Sequence, residues 1–472
     1  MTTTTPINRR TILTGAGLTA LGLAVPSILS GCSSSGAPTG GAGTGSGTGT
    51  VKLWMDIAGD ANQKYFNESV IGAFSKAKPT INVMTTYYQG GDLRRLIQTA
   101  LQARSGPDIV RGPSATQTLA WSKANVLADL SGYSEKWGWS DKLSSWAMQA
   151  FTIDNKLYAL PLRVDTMLLY FNKTLFADKG WKQPTNREEL ESLAAEAHGQ
   201  GIMPFGSSNV DWKAASEWLM TIFWNHYSGP EAIYQALTGQ AKFTDPVFVE
   251  AVQLLKSYFD KGWIAGGADK YFSVPSQELG ASFGKGKIAM IPQGGWFMSQ
   301  VGQYFGSAAK NSNEWDWMPI PTLRPEVAYP LYEIGIGGSL SINQASKNKD
   351  AAAEFLNWYY SDRKAALQRM AHAPSTYNIP IDFADSEIPS TIDPRSGRVL
   401  TSLNKAVATG DYGYVTWTWW PPKSDVYVYT GLDEVLTGKT TAAAYCAQLA
   451  KTFEAEKAAG TIPQLMKRGP AK

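Results

Sequence analysis

Apolar and polar residues alternate through Val51-Lys52-Leu53-Trp54-Met55, a period of two that predicts a β-strand. Residues 68–77 then read as a helix and 80–88 as a second strand. Leu93, Leu96, Ile97 and Leu101 recur at helical spacing within 92–101, and Gly106-Pro107 stops that helix before a short strand at 108–110. Strand and helix therefore alternate in units of α/β size, which predicts a largely parallel sheet covered on both faces. Ligands in such folds bind beyond the carboxyl ends of the strands, which points to the loops 56–63, 88–92 and 111–116. Residues 157–170 differ in kind. They predict two strands with polar residues at the bend, well placed to cross between two lobes. Helical patterns dominate afterwards, at 187–197, 212–224, 246–261, 349–360 and 441–459. Asp350 precedes an Ala-rich apolar face, where an acidic residue suits the helix dipole. There is no internal repeat and no second candidate membrane span.

The first 31 residues hold Arg9 and Arg10 but no Asp or Glu, and an apolar stretch over 12–29 leads into Leu29-Ser30-Gly31-Cys32. A basic head, a short apolar span and small residues before a cleavage point are the parts of a secretory signal. Residues 1–31 are thus expected to be removed, leaving Cys32 first, with a thiol that can be alkylated by lipid. The run resembles a bacterial lipoprotein signal, and Asn8-Arg9-Arg10-Thr11-Ile12-Leu13 is similar to the twin-arginine export motif. The competing readings are an ordinary transmembrane anchor and an uncleaved Sec signal. Residues 32–50 are expected to be a lipidated Cys32 followed by SSSGAPTGGAGTGSGTGT, a flexible tether spanning ~25 Å as a random coil.

At 472 residues the chain favours two lobes. Its formal charge of +3 falls to +1 once Arg9 and Arg10 leave with the signal (3 − 2 = 1), so there is no electrostatic case for nucleic acid. Only Cys32 and Cys446 are present. With Cys32 lipidated no intrachain disulfide can form, and Cys446 reads as a buried small hydrophobe. His198, His226 and His372 lack ligand spacing, so no metal is expected. Gly284-Lys285-Gly286-Lys287 lacks the full phosphate-loop pattern. The 17 Trp are more than packing alone usually asks for.

The order of motifs carries a family resemblance. Ser105-Gly106-Pro107-Asp108-Ile109-Val110 follows the second long helix. Lys156-Leu157-Tyr158-Ala159-Leu160-Pro161 precedes Leu169-Tyr170-Phe171-Asn172-Lys173. Phe283-Gly284-Lys285-Gly286-Lys287-Ile288-Ala289-Met290 precedes Gly294-Gly295-Trp296 and Pro319-Ile320-Pro321. Gly337-Gly338-Ser339 then leads into Ser346-Lys347-Asn348-Lys349-Asp350-Ala351-Ala352. The set resembles the extracellular solute-binding lipoproteins of family 1, which serve carbohydrate-importing ABC transporters, from Val51 to about Phe453. The resemblance implies an α/β, two-lobed periplasmic-binding-protein-like fold of type II with a hinge of three crossovers. Lobe 1 would be 51–163 plus 336–385, and lobe 2 would be 164–335 plus 386–472. It further implies a carbohydrate ligand, permease subunits of an ABC transporter as partners, and a place at the outer face of the cell membrane through lipid on Cys32. A monomer without cofactor or catalysis is expected.

A sugar asks for flat aromatic faces and for planar polar groups that hydrogen-bond its hydroxyls. Trp296 follows Pro292-Gln293-Gly294-Gly295, and relatives place an aromatic here at the cleft floor; the rival is a core Trp. Within 412–422 at least one of Trp417, Trp419 and Trp420 is expected to face the cleft, with alternation putting Trp417 and Trp419 on one side. The polar candidates are Asp56, Asp60, Asn62, Arg111, Asp165, Gln293 and Glu333. Asp60 and Asn62 could instead cap a helix, and Asp165 and Glu333 could serve the hinge. Trp212 is a candidate rim stacker, whereas Trp218 reads as a packing residue. Two other functions compete. Asp165 and Glu333 would suit a glycoside hydrolase if they stood about 5–10 Å apart across a sugar bond. A non-sugar solute, such as a peptide, polyamine or anion, is the other rival.

Overall fold

The structure, a computed structural model, describes residues 47–57, 59–373, 377–381 and 383–469. The expected signal, Cys32 and the tether up to residue 46 lie outside the described residues. No helix among the described residues is long and apolar enough to cross a membrane.

Strand Gly49–Met55 pairs in parallel with Ile81–Tyr87, and Ile109–Gly112 joins its other side. Val51, Leu53 and Met55 point into the core, as the alternation predicts. The end of the expected tether is captured rather than free. Gly49 and Thr50 belong to the strand, and Asn348 Nδ2 donates to Thr50 O at 3.0 Å. The ladder and the start of helix Lys349–Ser361 thus take up backbone groups that composition alone assigns to solvent.

Strands Ser339–Ile342 and Leu160–Pro161 complete this sheet, and Ser339–Ile342 runs antiparallel to both neighbours. The second sheet has the order Trp315–Met318, Met167–Asn172, Ile288–Gly294, Met203–Phe205, and only its last pair is parallel. The expectation of a largely parallel sheet therefore holds only for the first three strands. The fold is α/β with two domains and mixed sheets, because Ser339–Ile342 is entered through the link Gly337-Gly338 and not from a crossover helix. Met167–Asn172 is buried at every residue, the continuous apolar run of a strand covered on both faces.

A three-stranded ribbon lies between the two sheets in the chain. Glu333–Ile336 pairs antiparallel with Val164–Asp165 and parallel with Gly413–Tyr414. Segments 161–167 and 336–339 thus run side by side.

The helices over 187–197, 246–261, 349–360 and 441–459 fall where the periodicity puts them, within two residues at each end. Two others start elsewhere. The first begins at Asp60, runs through a π-type turn over Phe66–Ile71 and ends at Ala77, eight residues longer than the pattern suggests. The other begins at Ala215, leaving Trp212 outside it, and continues through a π-type stretch at Trp224–Ser228. Cys446 is fully buried, and burial pushes its thiol up to about 12.

Candidate functional site

A cavity of about 290 Å³ lies between the two lobes. Each of the three loops picked out by strand direction supplies part of its lining: Asp56 from the first, Gly90 from the second, and Arg111 with Ser114 from the third. The opposite wall is aromatic. Trp218, on helix Ala215–Phe223, meets Trp296 with ring centroids 5.0 Å apart and planes at 55°. Trp296 in turn meets Trp417 at 5.8 Å and 65°. Trp212 faces them from beside Gly90. The Trp296 ring folds back over Gly294, where any side chain would collide with it, so the glycine before the aromatic is what lets the ring lie flat on the strand end.

The polar wall is built from ion pairs. Arg111 Nε donates to Asp56 Oδ1 at 2.9 Å, while its Nη1 donates to Gly112 O and its Nη2 to Gly337 O. Arg163 Nε donates to Asp165 Oδ1 at 3.1 Å. Arg94 Nη2 reaches across the cleft from helix Gly90–Gln102 to Asp425 Oδ2 on helix Pro422–Leu436, also at 3.1 Å. Gly337 and Gly338 make this packing possible. A side chain on Gly337 would strike the Asp165 carboxylate, and one on Gly338, whose φ is 119°, would strike the Arg111 guanidinium. Burial pushes the Asp165 and Asp425 carboxyls up from the usual range, against the pull of Arg163 and Arg94 respectively. Among the described residues Glu217 makes no ion pair. Burial raises its carboxyl well above the ordinary value, and the Asp425 charge adds to that, while Thr416 Oγ1 donates to its Oε1 at 3.3 Å and, of the charges, only the more distant Arg94 pulls its carboxyl down. The lining thus sets ion-paired side chains beside indole faces.

Of the residues singled out in the sequence, Asp56, Arg111, Asp165, Trp212, Trp296 and Trp417 line this cavity. The other six lie elsewhere. Asp60 is exposed in the first helical turn, where its charge suits the helix dipole, and Asn62 follows in the same turn. Neither is the N-cap, which is Gly59 and has no side-chain cap bond. Gln293 folds back onto its neighbour, accepting from Gly294 N at 3.2 Å. Glu333 is fully buried and faces His226, with Nε2 and Oε1 2.9 Å apart, because both faces of strand Glu333–Ile336 are covered. Trp419 and Trp420 are core residues. A short 3-10 turn over Thr416–Thr418 replaces the expected alternation and rotates them away from Trp417. Trp218, expected to pack, lines the cavity instead. Arg94, Arg163, Glu217 and Asp425 were not anticipated. Arg163 sits two residues before Asp165 at the predicted bend, a spacing that could have flagged the pair. Among the described residues no cluster could hold a metal ion.

Residues 59–366 match the family profile described as bacterial extracellular solute-binding protein. A protein of Brucella abortus is 28% identical over 218 residues, covering 44% of this chain and 47% of that one. The diacetylchitobiose binding protein of Streptomyces coelicolor is 26% identical over 304 residues, covering 61% of this chain and 64% of that one. The matches thus span about half to just under two thirds of these relatives. Among solved structures, a chitin oligosaccharide binding protein superposes with a TM-score of 0.72 at 19% identity, covering 87% of this chain and 99% of that one.

Proposed function

This chain belongs to the bacterial extracellular solute-binding proteins, and on that premise we propose that it is the substrate receptor of an ABC importer. It captures a sugar or oligosaccharide between its lobes and delivers it to the membrane permease. The observation that carries this reading is the cavity itself, where four tryptophans stand among paired arginines and carboxylates. Indole faces cover the C–H faces of a sugar while the planar ions order its hydroxyls. The printed names of the chitin oligosaccharide and diacetylchitobiose binding proteins support the same ligand class. The family is a binding class, and the two carboxylates that a hydrolase would need are otherwise engaged. Asp165 is bonded to Arg163 and Glu333 is turned to His226.

In this reading the lobes are 51–163 with 336–385 and 164–335 with 386–472, joined by three crossovers in the type II manner. Ligand binds the folded, closed form and not the unfolded chain. At a hundredfold excess over Kd it should therefore add about 2.7 kcal/mol and raise the melting temperature by several degrees. A melting-shift panel of mono- and oligosaccharides, with peptides, polyamines and anions beside them, tests this. A flat response to every sugar with a clear shift for another class would replace the carbohydrate reading.

Anchoring is proposed through lipid on Cys32 at the outer face of the membrane, after export by the twin-arginine route. Exchanging Cys32 for serine should release the protein from the membrane fraction into the medium with its melting temperature unchanged. Retention of the Cys32→Ser protein through a high-salt wash would rule the lipid anchor out.

A further inference from the structure

We infer that the site takes a short ligand, one or two sugar units, and not an extended chain; the inference rests on the carbohydrate reading above. Two features of the cavity lead there, its small volume between touching lobes and the tilt of its aromatic walls.

The lobes are in contact across the cleft. Arg94 on one side is paired with Asp425 on the other. Thr116 Oγ1 donates to Trp420 O, and Lys123 Nζ donates to Gly460 O at 2.6 Å. Helix Ala115–Lys123 packs against helix Pro422–Leu436 at the same border. The lobes thus touch around a cavity of about 290 Å³ that stays partly open to solvent. Ligand sites generally run from roughly 300 to 1,000 Å³, which puts this one at the small end.

The aromatic wall is a corner and not a platform. A binder of long chains gains from indoles that lie nearly coplanar along a groove, each stacking on a successive unit. Here Trp296 is tilted 55° from Trp218 and 65° from Trp417, with centroids only 5.0 and 5.8 Å away. Rings so close and so steeply inclined meet different faces of the same guest. Arg163 adds to this, because its Nε is bonded to Asp165 while its two terminal nitrogens make no bond among the described residues and are free for a ligand hydroxyl. The Arg94–Asp425 pair stands in the lining itself, where a longer chain would have to pass.

Titration calorimetry with xylo-, malto-, cello- and chito-oligosaccharides, each from one to six units, decides the matter. In the series that binds, Kd should improve up to the dimer at most, with units three to six changing it by less than about threefold. A tenfold or greater tightening from dimer to tetramer would overturn the inference while leaving the carbohydrate reading in place. Failure of monomer and oligomer alike in every series would overturn both. Trp417→Ala gives an independent readout on the same protein. It should weaken the dimer and the tetramer by the same factor, because all the rings meet the same units. A loss confined to the tetramer would mean that the indoles lie along a groove, and the inference would fall.

Discussion

Replacing Trp296 with alanine is expected to weaken ligand binding by about 2–4 kcal/mol, roughly 30- to 1,000-fold in Kd. Its indole is the central ring of the cavity wall, touching both Trp218 and Trp417, and it is only half-buried. Removing it takes an apolar face from the ligand and leaves the space open to solvent, so no sealed cavity is created and the unliganded melting temperature should fall only modestly. Titration calorimetry and thermal unfolding of the same preparation check both halves. A variant that binds like the parent but loses most of its stability would place Trp296 in the core and undo the site assignment.

Trp420→Ala should show the opposite balance, losing about 3–5 kcal/mol of stability. Its ring is fully buried, with Phe243 at 5.1 Å, Trp224 at 5.8 Å and Phe453 at 6.3 Å between centroids. Truncation leaves a closed void among aromatic neighbours that cannot collapse into it. The contact across the cleft from Thr116 is to the Trp420 backbone carbonyl and survives the change. Affinity measured well below the melting temperature should therefore stay within a few-fold of the parent. A large loss of affinity in a still stable Trp420→Ala protein would put this ring in contact with ligand after all.

These two residues also show what a sequence can and cannot disclose. The aromatic stretch around Trp420 stood out by composition, but which of its rings faces the cleft depends on a single 3-10 turn at Thr416–Thr418, whose rotation no period of two describes. Trp218 eluded the reading for a related reason. Helical spacing marks an apolar face, and a sugar-lined cleft presents indoles just as a core does, so the pattern cannot separate them. Asp56 and Arg111 were legible because strand direction alone tells where loops converge in an α/β sheet. Glu333 was not, since its side chain has a fully buried histidine to face. Arg94 and Asp425, 331 positions apart in the chain, carry no mutual signal at all; only the closure of the lobes brings them together. Most helices were legible from period, and the mixed strand order was not, because nothing local fixes the direction from which Ser339–Ile342 is entered.

The thiol of Cys446 has a practical consequence. A sulfhydryl that is fully enclosed and ionises only at about 12 is inert to maleimides at neutral pH. With Cys32 exchanged for serine, the protein offers a silent background for site-directed labelling. A pair of cysteines introduced on exposed turns of helices Gly90–Gln102 and Pro422–Leu436 would carry a donor and an acceptor dye without competition from within. Any change in the distance between these helices can then be followed in real time by single-molecule fluorescence.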